Sequence, residues 1–523
     1  MSILALSTRF VSGDMASQIA DRPCFVVDYT NSARELVMHR VTHGPVQLST
    51  IQALCILSLV EFNDGNTPRA STYSSLAMDL SLSAGLSSEQ PRSLPDQIYE
   101  ERRRCYWSVV LLKNLYGFPS GSFSFLSNER TPKVPQSPDP PLGTSSQMTD
   151  SALEQPEGPN NASEPSDLGI VAYAIQLSEV WQRAARYAHR RGKPDNLPAW
   201  STQSEYSQIM AQLMDLETRL PYKYRFRPAK FADQDSDQLK KHRSFWAAWV
   251  QLQILYHTIL CLLNHPLLLS LRLRSFRLTM VPEVFLQHTA DLTTTHTEWV
   301  THLINLCQQK EFTLSDPFLA HCAAAAATIY LQQSYSDDPG VRATKKDHFR
   351  TCVSFVRDMG SYWPYIHQLA DKIESFENVV STSFYNAAAR NTPDSHVFID
   401  LSLFWDIIES SFVSELPKAA DSYFGPSLTL HRQASYSAEV LRSRLLPEPT
   451  RLNHEGVTRM LEDHEAVSST HVPNPAQNSA DISATEFAPP PDDEVAILAQ
   501  NYFAQGQDFV GSMDDWWFSG QPG

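Results

Sequence analysis

The apolar pattern of residues 46–117 restricts the fold more than any other feature of the chain, because it has the period of an α-helix. In the first stretch, the apolar residues that recur every three or four positions are Leu48, Ile51, Cys55, Leu59 and Phe62. Such spacing predicts one buried face of a helix. Turn residues at 63–66 separate it from a second stripe over residues 70–84, which Gly85 is expected to end. A third helix is predicted from Pro95 onward.

A second helical block is predicted over residues 169–436, where apolar residues again recur at helical spacing. Between the two blocks, residues 131–168 are rich in Pro, Ser, Gly and Asn, which predicts a disordered linker without helix or strand. Residues 437–491 are polar and rich in Pro and Ser, and are also predicted to be disordered. No stretch alternates apolar and polar residues for long, so the predicted fold class is all-α.

The C-terminal tail holds much of the negative charge of the chain. The 523 residues carry a formal net charge of −16, yet no Lys or Arg follows Arg459, while eleven Asp and Glu do. Residues 492–523 mix six of these acids with bulky apolar side chains, namely Val495, Leu498, Tyr502, Phe503, Trp516, Trp517 and Phe518. Such a segment can fold onto a hydrophobic groove of a partner. The alternative is that the aromatic residues dock back on the body as a terminal clasp.

The cysteines and the longest apolar run bear on the cellular environment. The seven cysteines are scattered and form no Cys-x-x-Cys pair, which predicts reduced, buried thiols in a cytosolic or nuclear protein. Residues 252–271 are apolar enough to raise the question of a membrane span, but they include Gln253, Asn264 and Pro266. A buried helix is the interpretation that this density of polar groups favours.

Motifs for catalysis or metal binding are missing from the sequence, so no catalytic, cofactor-binding or metal-binding residue is predicted and the chain is expected not to be an enzyme. His464-Glu465 begins a metalloprotease motif whose closing position is Ser468. His257 and His265 are too far apart along one helix to share a metal and are expected to be core histidines. Asp514-Asp515 lies near the chain end, where a metal geometry cannot be held.

The triple arginine Arg102-Arg103-Arg104 has two interpretations. It could contribute to a nucleic-acid surface, but three consecutive helical residues cannot face one line of phosphates. The interpretation that we favour is structural, with Glu100, Glu101 and neighbouring acids pairing with some of the arginines.

Together, residues 46–117 resemble the middle homology region of fungal zinc-cluster transcription factors, the fungal-specific transcription factor domain. The resemblance rests on Gln52-Ala53-Leu54-Cys55-Ile56-Leu57, the turn Asn63-Asp64-Gly65-Asn66, and Glu100-Glu101-Arg102-Arg103-Arg104-Cys105-Tyr106-Trp107. Later landmarks are Leu220-Pro221 and the run from Tyr256-His257 to Pro266. The resemblance extends over about residues 20–430. The resemblance implies that residues 1–130 and 169–436 are two parts of one helical regulatory domain, which responds to metabolites or partners and restrains an activation segment.

The resemblance also implies a function and a set of partners. We expect a nuclear transcriptional regulator of a metabolic or secondary-metabolite gene cluster, contacting the transcription machinery or co-activators through residues 492–523. The alternative is a helical scaffold or co-regulator without DNA binding of its own. No cysteine has the zinc-cluster spacing, so zinc is expected only if such a cluster precedes this chain. Truncation and loss of DNA binding are both open, whereas the near-neutral body and the acidic tail argue against DNA binding by another surface. Homodimerisation is also open, and no membrane partner is expected.

Overall fold

Helix follows helix through the described part of the chain and no strand forms there, which confirms the all-α prediction. The computed structural model describes residues 1–11, 22–88, 95–117, 132–141, 167–190, 197–273, 276, 280–335, 338–389 and 399–409. The first helices are α1 (Ser2–Ser7), α2 (Arg22–His43), α3 (Leu48–Asn63), α4 (Thr67–Ser83) and α5 (Asp96–Tyr116). The three helices expected within residues 46–117 are therefore present as α3, α4 and α5.

Glycines end α3 and α4, as the turn residues predict. Gly65 and Gly85 have φ values of 81° and 65°, in the left-handed region that glycine adopts without a steric penalty. Each turn is closed by a backbone hydrogen bond, from Asn66 N to Glu61 O and from Leu86 N to Ser81 O, both 2.9 Å. Helix α4 begins at Thr67, with Asn66 as its N-cap.

The buried face of α3 is rotated from the predicted stripe. Cys55 and Leu59 are only half-buried, whereas Ser58 and Glu61 are fully buried. Ser58 can be buried because its Oγ donates a hydrogen bond to Ala70 O at 2.8 Å. The first apolar cluster of the fold forms around this face, with residues of α2, α4 and α5 packed against it.

Residues 132–141 lie as a strap without helix or strand across the end of the first helical part. Trp107 Nε1 donates to Lys133 O at 3.0 Å, and Gln136 N donates to Glu100 Oε1 at 2.8 Å. Within the same segment, Ser137 Oγ accepts a hydrogen bond from Val171 N at 3.0 Å. The predicted absence of helix and strand holds for the strap, but hydrogen bonds join it to two helices. Residues 142–166 of the predicted linker lie outside the described residues.

The second part continues with further helices, which begin after Gly169. They are α6 (Ile170–His189), α7 (Glu205–Arg219), α8 (Phe226–Ala229), α9 (Ser236–Lys241), α10 (Arg243–Leu263), α11 (Pro266–Leu273), α12 (Glu283–Gln309), α13 (Phe318–Gln333), α14 (Pro339–Gly360), α15 (Pro364–Ala389) and α16 (Leu401–Ile408). The described residues all belong to one compact unit. Helix α10 is central, in contact with α6, α12 and α13.

The apolar run that raised the membrane question lies in this core. Residues Arg243–Leu273 are long and apolar enough to cross a bilayer, but the apolar window is entirely buried by the rest of the protein. The run is also interrupted, because α10 ends at Leu263 and Pro266 opens α11. The prediction of a buried helix is confirmed. The predicted disordered segment 437–491 and the tail 492–523 lie outside the described residues.

Candidate functional site

An open cleft of about 530 Å³ lies between the C-terminal ends of α12 and α14. Its apolar lining consists of Ile304, Cys307, Phe312, Leu314, Phe355, Met359 and Tyr362. Its polar lining consists of Gln308, Glu311, Thr313, Arg357, Asp358 and Ser361. The cleft falls in the size range of small-molecule sites in proteins, and it combines an apolar floor with a few polar groups as such sites do. We take it as the candidate functional site.

The end of α12 builds one side of the cleft. Phe312 N donates to Cys307 O at 2.9 Å and Glu311 N to Gln308 O at 3.1 Å, which is the Schellman pattern of a helix end. The position that glycine usually takes in this pattern is held by Glu311, with a φ of 52°. The turn brings Phe312 into the core, where it is 4 % exposed, and leaves the Glu311 side chain on the surface.

The end of α14 builds the other side and connects the cleft to the first part of the chain. Tyr362, which follows α14, packs against Phe10 with 5.2 Å between ring centroids. Arg9 lies over the ring of the next residue, Trp363, and pairs with Asp64 at 2.7 Å. The cleft wall is therefore in direct contact with the N-terminal residues that also hold the turn between α3 and α4.

The charged groups of the cleft differ in whether they form ion pairs with described residues. Arg357 is bound through its Nη2 to Glu374 and, at 3.5 Å, to Asp371. The hydrogen bond that Arg357 donates to the Glu374 carboxylate raises the pKa of the guanidinium, which stays charged. The carboxylates of Glu311 and Asp358 form no side-chain hydrogen bond or ion pair with any described residue. The mouth therefore presents two uncompensated negative charges.

The histidines singled out in the sequence are core residues, as predicted. His265 Nε2 lies 3.0 Å from Thr328 Oγ1, and His257 Nδ1 lies 2.7 Å from Nδ1 of His296 on α12. One nitrogen of that pair must carry a hydrogen and the other must not, which requires at least one neutral ring. Burial lowers the pKa of His257 well below its ordinary value and lowers that of His265 and His296 to about 3. The neutral forms are the ones that the core holds.

The triple arginine has the structural role that we favoured. Arg102 donates to the carbonyl oxygens of Ala84 and Gly85, at 3.2 and 3.3 Å. Arg104 pairs with Glu100 at 2.8 Å and donates to Gln136 O of the strap at 3.3 Å. These residues join α5 to the end of α4 and to the strap.

Among the described residues, no group of three or more His, Cys, Asp or Glu side chains is arranged to hold a metal ion. The seven cysteines are free, and five of them are buried. His464, Asp514, Asp515 and the aromatic residues of the tail lie outside the described residues.

Sequence reasoning missed the cleft and the histidine partner. His296 could have been found, because Thr289, Thr293, His296 and Thr297 repeat at helical spacing on α12 and are all buried. The cleft offered only a weak signal, a helix that ends in Gln309-Lys310-Glu311 without a glycine. Its two sides are about fifty positions apart in the chain, and helical period alone cannot bring them together.

The first quarter of the chain matches a known protein family. Residues 1–132 match the fungal specific transcription factor domain. The chain is 22 % identical over 407 residues to the Zn(2)-C6 fungal-type transcription factor FTF1c of Fusarium oxysporum f. sp. lycopersici, an alignment that covers 73 % of this chain and 42 % of that protein.

Two further relatives match shorter stretches. The transcription factor FTF2 of the same fungus is 23 % identical over 211 residues, covering 40 % of this chain and 19 % of that protein. An uncharacterized transcriptional regulatory protein of Schizosaccharomyces pombe is 21 % identical over 215 residues, covering 40 % and 25 %. The chain thus spans at most about two fifths of the length of these relatives. No solved structure matches it.

The described chain is an all-helical body in which the N-terminal helices pack with a larger helical core. The family match over residues 1–132 and the names of the relatives support a fungal-specific transcription factor middle homology region in this part of the chain. The predicted resemblance is confirmed.

Proposed function

We propose that this chain is the regulatory body of a nuclear transcriptional regulator, not an enzyme, and that its C-terminal tail contacts the transcription machinery. The observation that carries the proposal is the match of residues 1–132 to the fungal-specific transcription factor domain. Support comes from the relatives, which are named as transcription factors or as a transcriptional regulatory protein. The distribution of charge adds to this, because the tail carries acids and bulky aromatic residues but no Lys or Arg.

Fusion of residues 443–523 to a neutral DNA-binding domain is expected to activate a reporter gene. Replacing Trp516, Trp517 and Phe518 together by Ala should lower activation by about tenfold, because a few buried aromatic anchors carry most of the energy of such an interface. The measurement is reporter output at matched expression level of each fusion.

The control keeps the same tail and its charge. Ser519→Ala with Gln521→Ala should leave reporter output unchanged, since neither side chain is a hydrophobic anchor. A fusion without any activation would exclude the tail as an output segment and would favour the alternative, a helical scaffold or co-regulator. Activation that survives loss of the three aromatic residues would contradict the docking mechanism.

The targets that we propose are genes of a metabolic pathway or a secondary-metabolite cluster, an expectation that rests on the family resemblance. Direct DNA binding, zinc binding and homodimerisation also stay predictions that rest on the family resemblance. Transcript profiles of a deletion strain would test the target class. Scattered changes outside any metabolic gene group would contradict it.

A further inference from the structure

The floor of the cleft between α12 and α14 has the chemistry of an aromatic-binding surface. Phe312, Phe355 and Tyr362 contribute rings, and Cys307 and Met359 contribute sulfur atoms. Sulfur and aromatic groups both make favourable contacts with a further ring. The Cys307 thiol is 2 % exposed, lines the cleft and makes no hydrogen bond with a described residue. Burial raises its pKa to about 12, so it is a neutral, soft contact surface.

The mouth of the cleft selects the charge of an occupant. Glu311 and Asp358 are exposed carboxylates without a described partner, whereas the one lining cation, Arg357, is already bound to Glu374 and Asp371. An anion entering the cleft would face two like charges and would have to displace two acids from Arg357. A cation would gain two partners and would also lie near the aromatic faces, which attract positive charge.

The backbone conformation of Glu311 is unfavourable for a residue with a side chain, so the carboxylate at this position lowers the stability of the fold. A residue with a side chain at a φ of 52° is less stable than glycine would be, and glycine is the usual residue at this position of a Schellman turn. Strained positions of this kind are enriched at ligand sites. Among the described non-glycine residues, Lys230 also has a positive φ, of 55°, but it does not line the cleft.

We propose that the cleft binds a small aromatic amine, with the ring on the floor formed by Cys307, Phe312 and Phe355 and the protonated nitrogen between Glu311 and Asp358. The volume of about 530 Å³ accommodates a molecule of this class. Tyr362 lines the cleft and also packs against Phe10, so one side chain would separate the occupant from the N-terminal part of the fold. The proposal concerns the cleft alone and does not depend on the transcriptional role.

The test compares two probes with the same indole ring and opposite charge, tryptamine and indole-3-propionate, by isothermal titration calorimetry on the full chain. Tryptamine is expected to bind at least about tenfold more tightly, the equivalent of one favourable charge contact. Glu311→Gln and Asp358→Asn should each weaken tryptamine binding by about threefold to tenfold and leave indole-3-propionate unchanged or slightly improved. Equal affinities, or tighter binding of the propionate, would overturn the proposal.

A pair of glycine variants separates binding from folding. Glu311→Gly and Lys230→Gly each relieve a positive φ, so both should raise Tm by about 1–4 °C. Only Glu311→Gly should weaken tryptamine binding. If both variants bind tryptamine as the parent does, the carboxylate of Glu311 is not part of the site and the proposal fails. Because the readout is binding, a negative reporter result for the tail leaves this outcome unaffected.

Discussion

Glu61→Ala is expected to lower the free energy of unfolding of the full chain by about 2–4 kcal/mol, among the largest effects of any single substitution outside the apolar core. The Glu61 carboxylate is buried in α3 and is held from three directions. Arg34 of α2 donates to Oε1 at 2.6 Å, Asn66 donates to Oε2 at 2.9 Å, and Arg69 of α4 lies 3.5 Å from Oε2.

The size of the effect follows from what the substitution leaves behind. Without Glu61, two guanidinium groups would face each other near a small cavity, and the side chain of Asn66 would lose its acceptor. The two arginines are 28 % and 33 % exposed, so water partly compensates them, and the expected loss lies below that for a fully buried pair. Midpoints of urea unfolding measure the change.

The surface pair Asp215–Arg219 is the matched control for Glu61. It is an ion pair of 2.8 Å within α7, and its partners are 64 % and 48 % exposed. Asp215→Ala should change the free energy of unfolding by less than about 0.5 kcal/mol, as exposed pairs at this spacing do. Equal effects of Asp215→Ala and Glu61→Ala would show that the buried network contributes nothing of its own.

Glu61 also shows why the helices could be predicted from the sequence while the exact buried faces could not. The period of Leu48, Ile51 and Phe62 identifies α3, because apolar spacing is a local property of the chain. Burial of a carboxylate depends on Arg34, which is 27 residues away on another helix. No periodic pattern contains that information. For the same reason, the apolar period places Cys55 and Leu59 on the buried face, although both are only half-buried in the structure.

The strap and the cleft mark a second limit of sequence reasoning. Proline and serine content correctly predicts that residues 132–141 form neither helix nor strand, but the docking of this segment depends on donors and acceptors that α5 and α6 present, such as Trp107 and Val171. The cleft depends on two helix ends that meet only in the folded chain. Local composition restricts conformation, whereas a site requires the relative placement of distant elements.

Acidification from pH 7.5 to 5.5 is expected to remove stability through the neutral histidines that the core holds. Burial lowers the pKa of His265, His296 and His321 to about 3, from an ordinary value of 6.5. Between these two values a proton binds the unfolded chain but not the folded one. Above pH 6.5 these histidines therefore cost the folded protein nothing, and the free energy of unfolding decreases as the pH falls from 6.5 toward 3. Each histidine should contribute a loss of about 1.4 kcal/mol at pH 5.5, or about 4 kcal/mol for the three.

Buried carboxyl groups act in the opposite direction, so the comparison of variants is the decisive measurement. Burial raises the pKa of Glu179 and of Asp316, and their protonation in the folded state adds stability as the pH falls. This contribution is the same in the parent and in a histidine variant that leaves these groups in place. His265→Asn should therefore reduce the stability difference between pH 7.5 and 5.5 by about 1.4 kcal/mol, even though the variant is less stable at both values. His288 is exposed on α12, and His288→Gln is the matched control because it removes an imidazole from outside the core. An unchanged pH dependence of urea unfolding in His265→Asn would mean that His265 already accepts a proton in the folded core.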